Sequence, residues 1–400
     1  MRRPVFGLLF AMAIGAGSAS SGVDTGLDVL AEQNFAPLWG KRVGVIVNST
    51  SVDRRGRRLV DLLRDAPGVT LAAVFTPEHG FSGRVEHGRL IEDGRFEDTG
   101  LPLYSLYGTT QRPTPDMLRH LDAIVFDLQD VGARYYTYIT TLGHALEASA
   151  RAEKEFFVLD RPNPLGGDVT EGLVLSTEVR HFTAYFSIPA RHGLTVGEIA
   201  RWHNEEAALG ARLVVIPLRG WSRPMLWEDT GLTWTPPSPN IKSPRAALLY
   251  CGLGAFESTN VSLGRGTPTP FEVFGAPWLK GVPLARRLNA VRLPGVRFRS
   301  ASFLPASDRY KGERCYGVRV TVTDPRAVRP VDVFVNAACF IRDARPRKFL
   351  PRWAEMPRVV GSRDFERGFA AGETPAALLR PFHDSAEAFR QKREAALLYR

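Results

Sequence analysis

Short apolar runs alternate with amphipathic segments along the first half of the chain. The runs at residues 42–47, 69–75, 123–126, 156–159 and 213–217 are apolar and partly β-branched, as strands buried on both faces of a sheet should be. Between them, residues 58–64, 115–121, 138–153 and 195–207 carry apolar side chains at helical spacing. This alternation predicts an α/β domain with a mostly parallel sheet and helices on both faces.

The pattern changes after residue 220. Residues 221–240 hold three tryptophans among prolines, and they end in Pro236-Pro237-Ser238-Pro239-Asn240, which resists both helix and strand. Beyond this connector we predict a strand over residues 317–323 and helices over 331–342 and 387–399. The expected organisation is a catalytic sheet domain over residues 23–240, followed by a smaller α+β domain over residues 241–400 that closes a cleft.

The first residues have the layout of a secretory signal peptide. Arg2 and Arg3 precede an apolar run over residues 5–15, and Gly17-Ser18-Ala19 offers small residues for cleavage. We therefore expect a signal peptide over residues 1–22 and a secreted, periplasmic protein; an uncleaved anchor is the alternative. No other stretch is long and apolar enough to span a bilayer, so no stable membrane anchor is expected.

The net charge of +10 would suit either nucleic acid or an anionic wall polymer. The basic residues are mostly arginines scattered along the chain, and a signal peptide makes nucleic acid the weaker partner, so we expect none. The three cysteines lie in apolar or strand-like settings that favour small buried side chains over catalysis. The oligomeric state is left open.

Polar side chains follow several of the predicted strands. In a parallel sheet these positions converge on one rim, which is where ligands bind. No Walker lysine loop and no G-x-G-x-x-G motif follows any of these strands, so we expect neither a phosphate-binding loop nor a dinucleotide cofactor. We expect no other cofactor either. The residues at strand ends are Asn48, Glu78, Asp127, Asp130 and Asp160.

Glu78 is the candidate catalytic acid. Two carboxylates facing one cleft are what glycoside hydrolysis requires, and burial after an apolar strand would raise the pKa of Glu78 and keep it protonated near neutral pH. Asp130, beside Gly132, is the candidate second carboxylate, and His79 would tune Glu78. The alternative for Glu78 is a turn cap or a salt bridge to an arginine.

Aromatic and basic residues directly after Asp130 are candidate substrate contacts. Tyr136 and Tyr138 would stack on a sugar ring, and Arg134 and Arg265 would pair with a substrate carboxylate. A polar loop of the second domain adds Glu257 and Asn260. A metal site would draw on Glu78, His79, His87 and Asp130, but no H-E-x-x-H motif supports one, so we expect no metal.

Several motifs in order along the chain resemble the exo-β-N-acetylmuramidases of the NamZ type. The resemblance implies release of N-acetylmuramic acid from the non-reducing end of peptidoglycan fragments, with MurNAc-GlcNAc fragments as partners. It also implies a Rossmann-like domain, a smaller carboxyl-terminal domain and Glu78 as the acid. Asn48 and Asn240, which lie within matching motifs, are further candidate substrate contacts. The motifs are Val43-Gly44-Val45-Ile46-Val47-Asn48, Thr76-Pro77-Glu78-His79-Gly80, Phe126-Asp127-Leu128-Gln129-Asp130-Val131-Gly132-Ala133-Arg134-Tyr135-Tyr136-Thr137-Tyr138, Asp160-Arg161-Pro162-Asn163-Pro164, Pro237-Ser238-Pro239-Asn240 and Gly264-Arg265-Gly266-Thr267.

Two alternatives to this glycosidase remain at this point. One is a non-catalytic periplasmic protein that binds wall sugars in the same cleft, and the other is a metal-dependent hydrolase. The second catalytic group is also open, because Asp130 as nucleophile or base and assistance by the acetamido group of the substrate both fit.

Overall fold

The computed structural model describes residues 22–400. The predicted signal peptide over residues 1–22 therefore lies outside the described residues, except for its last position. Within the described part, no helix is both long enough and apolar enough to cross a membrane.

The first domain is built on a seven-stranded sheet with the order β3-β4-β2-β1-β5-β6-β7. All neighbouring strands are parallel except β3 and β4, which form an antiparallel pair at one edge. The predicted mostly parallel sheet is thus confirmed. The strands are β1 (Arg42–Val47), β2 (Thr70–Thr76), β3 (Gly94–Arg95), β4 (Pro102–Ser105), β5 (Ala123–Asp127), β6 (Glu155–Leu159) and β7 (Arg212–Ile216).

Helices cover both faces of this sheet because its strands are apolar on both sides. In β1, Val43, Val45 and Val47 pack into the core on one face, whereas Ile46 packs into the core on the other. The fifth helix begins directly after Thr195, the first residue of the predicted segment 195–207, where Thr195 and Glu198 form a reciprocal capping box. The helices are α1 (Gly26–Glu32), α2 (Leu59–Arg64), α3 (Pro115–Leu118), α4 (Thr137–Arg151) and α5 (Val196–Glu206).

The second domain contains a separate antiparallel sheet with the order β8-β10-β9, packed against helices, so the expected α+β domain is confirmed. Its last long helix, α11 (Pro375–Lys392), differs from the predicted helix over residues 387–399. It begins twelve residues earlier, at Pro375, where Thr374 caps it, and Pro381 is tolerated inside it. The elements are α6 (Pro244–Leu253), β8 (Val273–Ala276), α7 (Gly281–Val291), β9 (Val296–Phe303), β10 (Cys315–Val322), α8 (Pro330–Ala344), α9 (Met356–Val360), α10 (Arg363–Ala370) and α11 (Pro375–Lys392).

The carboxyl-terminal tail returns to the first domain. The Tyr399 hydroxyl donates to Oδ2 of Asp160 at 2.6 Å, and the amide of Leu398 donates to Oε1 of Glu198 at 3.0 Å. Arg393, which is buried, donates to the carbonyl oxygens of His192 and Gly193. The tail therefore ties the second domain to the first near the carboxyl end of β6.

Candidate active site

A cavity of about 390 Å³ lies where the two domains meet. The first domain supplies the loop after β2, the start of α4 and the Pro-rich connector, and the second domain supplies the segment around the end of α6 and the start of α9. The cavity lies beyond the carboxyl end of β2, as expected for a mostly parallel sheet. Its lining includes Glu78, His79, His87, Tyr135, Tyr136, Thr137, His181, Thr183, Ser238, Asn240, Tyr250, Glu257, Arg265, Phe271, Arg352, Glu355 and Arg358.

Glu78 is held at the cavity wall by contacts to both carboxylate oxygens. Its Oε2 accepts a hydrogen bond from the Thr137 hydroxyl at 2.7 Å. Its Oε1 accepts one from the amide of Gly88 at 3.1 Å and lies 2.7 Å from Nδ1 of His87. The residue is only 2% exposed, so these partners and not bulk water decide the protonation of its carboxylate.

The expected rise in the pKa of Glu78 is wrong. Burial raises its pKa, but the contact with His87, the charges of His87 and His79, and the hydrogen bond from Thr137 together lower it to about 2. Thr137 is also the first residue of α4, where the helix dipole favours a negative charge. Glu78 is therefore an ionised carboxylate at neutral pH and has no proton to donate.

His79 fixes the backbone of the loop after β2. Its φ of 70° lies in the left-handed region that side chains rarely adopt, and the next glycine, Gly80, has a similar φ of 69°. The Nδ1 atom of His79 lies 2.6 Å from the carbonyl oxygen of Val85, so the ring closes the loop onto itself. Burial lowers the pKa of His79, although the charge of Glu78 and the bond to Val85 oppose this.

His87 reaches the cavity from the far end of the same loop. Its side chain is half-exposed, and its contact with Glu78 raises the pKa of the imidazole although burial opposes this. The sequence offered only a weak signal for His87, as one of several residues near a hypothetical metal. Within residues 22–400, no three His, Cys, Asp or Glu side chains come together in the way that metal ligands do.

Asp130 does not line the cavity. Its Oδ2 accepts a hydrogen bond from the amide of Gly132 at 2.7 Å and lies 3.3 Å from Nε2 of His192, and the side chain is buried. The structure therefore places Asp130 in a turn behind the cavity wall and does not bring it together with Glu78.

Arg134 also lies behind the wall. Its guanidinium is fully buried and donates to the carbonyl oxygens of Leu173, Ile188 and Val359, which belong to separate segments. These bonds engage both terminal nitrogens of the guanidinium without a substrate, and burial lowers the pKa of Arg134 to about 10. The position contradicts the predicted pairing with a substrate carboxylate, because Arg134 holds backbone segments of the two domains together.

Three further predicted contacts are internal. Asn48 donates to the hydroxyl of Tyr138 at 2.9 Å, and Tyr138 in turn donates to the carbonyl oxygen of Pro237, so both residues anchor the connector. Asn260 bonds to the backbone of Lys348 and Leu350 in the second domain. None of these three predicted residues is part of the cavity lining.

Besides Glu78 and His79, four predicted substrate contacts line the cavity, namely Tyr136, Asn240, Glu257 and Arg265. The guanidinium of Arg265 pairs with Oε1 of Glu257 and lies 5.1 Å from the ring centroid of Phe271. These contacts hold Arg265 in place and partly neutralise its positive charge. The Tyr136 hydroxyl is buried beside those of Tyr138 and Ser238 and makes no hydrogen bond of good geometry to described residues.

The segment at the start of α9 supplies basic residues that the sequence pattern did not single out. Arg352 donates to the carbonyl oxygen of Glu257 and forms an ion pair with Glu355 at 2.7 Å. Arg358 lines the cavity, and its guanidinium has neither a hydrogen bond nor an ion pair among residues 22–400. A one-turn helix after a long loop has no hydrophobic period, so only its position in the fold shows this role.

A wider groove of about 720 Å³ adjoins the cavity. Three residues line both spaces, namely His87, Asn240 and Arg265. Apart from these, the groove is lined by polar loops, with Glu86 on one side and Lys242, Ser307 and Asp308 on the other. A molecule longer than the cavity can therefore extend into the groove past His87.

Comparisons with known proteins agree over the whole described chain. Two family models match, described as the N-terminal and C-terminal parts of exo-β-N-acetylmuramidase NamZ, over residues 43–245 and 248–399. The peptidoglycan β-N-acetylmuramidase NamZ of Bacillus subtilis is 37% identical over 414 residues, which cover all of both chains. Two crystal structures of DUF1343 family proteins from Bacteroides fragilis are similar, with TM-scores of 0.88 and 0.75 at 37% and 27% identity. Each similarity covers 95% of this chain and 100% or 99% of the other. The chain therefore belongs to the NamZ family of exo-β-N-acetylmuramidases.

Proposed function

We propose that this protein is an exo-acting glycoside hydrolase that releases N-acetylmuramic acid from the non-reducing end of peptidoglycan fragments. The observation that carries the proposal is the buried, ionised Glu78, held by Thr137 and His87 at the wall of a cavity between two domains. Family membership and the activity named for the Bacillus subtilis relative support the same conclusion.

The two connected spaces suit exo-action on a sugar chain. A volume of about 390 Å³ is near the lower end of the range for small-molecule sites, which favours one substituted sugar ring in the cavity. The rest of the fragment, beginning with the N-acetylglucosamine unit, would lie in the adjoining groove. Tyr136, Tyr250 and Phe271 give the cavity aromatic surface for the ring.

Arg358 is the residue that best suits the lactyl carboxylate of muramic acid. Arg134 is committed to backbone carbonyls and Arg265 to Glu257, whereas the guanidinium of Arg358 has no such partner within the described residues. An arginine of this kind binds a carboxylate through two parallel hydrogen bonds. We therefore assign the recognition of the carboxylate to Arg358 in place of the two arginines predicted from the sequence.

We further propose that the protein acts outside the cytoplasm, in the periplasm. The proposal rests on the signal-peptide pattern at the amino terminus and on a substrate that forms part of the cell wall. Fractionation of cells and sequencing of the mature amino terminus would test it. A full-length chain in the cytoplasmic fraction would contradict it.

The function is tested with chromogenic β-glycosides of N-acetylmuramic acid and of N-acetylglucosamine. We expect cleavage of the muramoside only, and loss of cleavage in Glu78→Gln, because the amide cannot carry the negative charge of the carboxylate. Glu387→Gln, which alters an exposed carboxylate paired with Arg390, is the matched control.

Three outcomes separate the candidate functions. A folded protein that binds wall fragments but cleaves neither sugar would favour the non-catalytic binding protein. Cleavage that is lost with a chelator and restored by metal would favour the metal-dependent hydrolase. Unchanged cleavage in Glu78→Gln would contradict the assignment of the site.

A further inference from the structure

His87 stands at the boundary between the cavity and the groove. It lines both spaces, together with Asn240 and Arg265. If one sugar fills the cavity and the next lies in the groove, the bond between them crosses this boundary. The oxygen of that bond is the atom that must receive a proton when the bond breaks.

The ring of His87 is oriented by its contact with Glu78. Nδ1 lies 2.7 Å from Oε1 of Glu78, and the amide of the following residue, Gly88, donates to the same oxygen at 3.1 Å. Nε2, the second nitrogen, makes no hydrogen bond within residues 22–400. A carboxylate that holds one ring nitrogen and leaves the other free fixes the direction in which the proton is delivered.

The surroundings of His87 favour its protonated form. The contact with Glu78 raises the pKa of the imidazole most, burial lowers it, and the charge of Glu257 raises it while that of Arg265 lowers it. His79 lies in the same loop, and burial lowers the pKa of its ring. The other charged groups around the groove are Glu86, Lys242 and Asp308.

The remaining candidates in the described cavity lining are less suited to donate a proton. Glu78 is ionised, with a pKa of about 2. Glu257 is paired with Arg265, and Glu355 is paired with Arg352. Among the histidines, burial lowers the pKa of His181, and its Nδ1 lies 3.3 Å from the hydroxyl of Thr183.

From this geometry we infer that His87 is the general acid of the glycosidase, and that Glu78 positions His87 and stabilises its charged form. The inference rests on the proposed function and names a residue that acts in it. The C1–O bond of the terminal sugar breaks, and the leaving oxygen keeps the electron pair and takes the proton from Nε2. Water then forms the new bond to C1 and gives one proton back to His87, so the enzyme returns to its starting state.

The first test compares substrates whose leaving groups differ in their need for a proton. His87→Asn keeps an amide near the Nδ1 position, but its N–H protons are not acidic enough to be transferred to the leaving oxygen. We expect its kcat/KM to fall by about 10²- to 10⁴-fold on the MurNAc-GlcNAc disaccharide, the usual contribution of general acid catalysis. On the dinitrophenyl muramoside the loss should be far smaller, because dinitrophenolate leaves without a proton.

The matched control is His383→Asn, which alters an exposed histidine in contact with Asp332 at 3.3 Å, outside the cavity lining. It should cleave both substrates like the parent protein, and circular dichroism should show that both variants are folded. An equal loss on both substrates in His87→Asn, or no loss on either, would overturn the assignment of His87.

The second test measures protonation directly. Titration of the His87 ring by NMR should give a pKa that matches the alkaline limb of kcat/KM for the disaccharide, and this pKa should fall in Glu78→Gln. An unchanged pKa of His87 in Glu78→Gln would contradict the role of Glu78. An alkaline limb of kcat/KM that does not match the pKa of His87 would contradict the role of His87 as the acid. Failure of the parent protein to cleave any muramoside would instead overturn the proposed function, so the two failures are distinguishable.

Discussion

The hydroxyl of Thr137 donates to Oε2 of Glu78 at 2.7 Å and so joins a loop to the start of a helix, although the two residues lie 59 positions apart in the sequence. Glu78 follows strand β2, and Thr137 begins helix α4 after strand β5. The bond fixes one carboxylate oxygen at the start of a helix, while the other oxygen faces His87. The protonation state of the site depends on this link.

Thr137→Val should raise the pKa of Glu78 and lower kcat/KM. The valine has nearly the same shape but cannot donate a hydrogen bond, so the folded state should also lose about 1–3 kcal/mol, the usual effect of leaving a buried charged group without a donor. Activity assays and urea unfolding would measure the two effects. Thr141→Val, which removes a hydroxyl bonded only to the helix backbone, should have little effect on activity.

Stability should depend on Glu78 in acid. The folded pKa of about 2 lies below the ordinary value of 4.5, so Glu78 stabilises the fold fully above pH 4.5 and loses that contribution as the pH falls towards 2. At about 1.4 kcal/mol for each pKa unit, the full contribution is of the order of 3 kcal/mol. Glu78→Gln should flatten the dependence of the unfolding free energy on pH between 5 and 3, and an unchanged slope would contradict this.

Arg358→Ala should weaken binding of the muramoside. Loss of two charge-assisted hydrogen bonds to the lactyl carboxylate should raise KM by about 10- to 100-fold, which corresponds to about 1.5–3 kcal/mol. Inhibition by free N-acetylglucosamine, which lacks the lactyl group, should change little. Arg363→Ala, which removes an exposed arginine near Glu366, is the control. Equal effects on both sugars would contradict specific recognition.

Tyr399→Phe should destabilise the protein, and more so at pH 8 than at pH 5. Burial raises the pKa of Asp160 to about 7, while the hydrogen bonds from Tyr399, Gly197 and Thr195 limit the rise. Because the Tyr399 hydroxyl favours the ionised form, its loss should matter most where Asp160 is ionised, and the expected cost is about 1–3 kcal/mol. Thermal unfolding would measure it, with Tyr316→Phe on the exposed side of β10 as the control. A shift that is the same at both pH values would contradict the coupling to Asp160.

The strands of the first domain could be predicted from the sequence because burial on both faces leaves a local apolar pattern. The predicted strand over residues 42–47 coincides with β1, and the predicted helical segment 195–207 differs by one residue at each end from α5, which Thr195 caps. The position of Glu78 at a strand end followed from the same pattern, and the cavity does lie beyond β2. Chain direction and periodicity suffice for these conclusions, since both are local properties.

The partners of each charged side chain were decided only by the tertiary structure. The pKa of Glu78 falls because His87, nine residues further along the loop, folds back onto it. Arg134 can be buried because a carbonyl oxygen of α9, more than 200 residues away, accepts a hydrogen bond from its guanidinium. The same helix brings Arg358 to the cavity. The sequence by itself therefore determined where polar residues emerge from the sheet. Their charge states and roles depend on distant segments that meet only in the folded chain, because electrostatic energies depend on distance and burial and not on sequence separation.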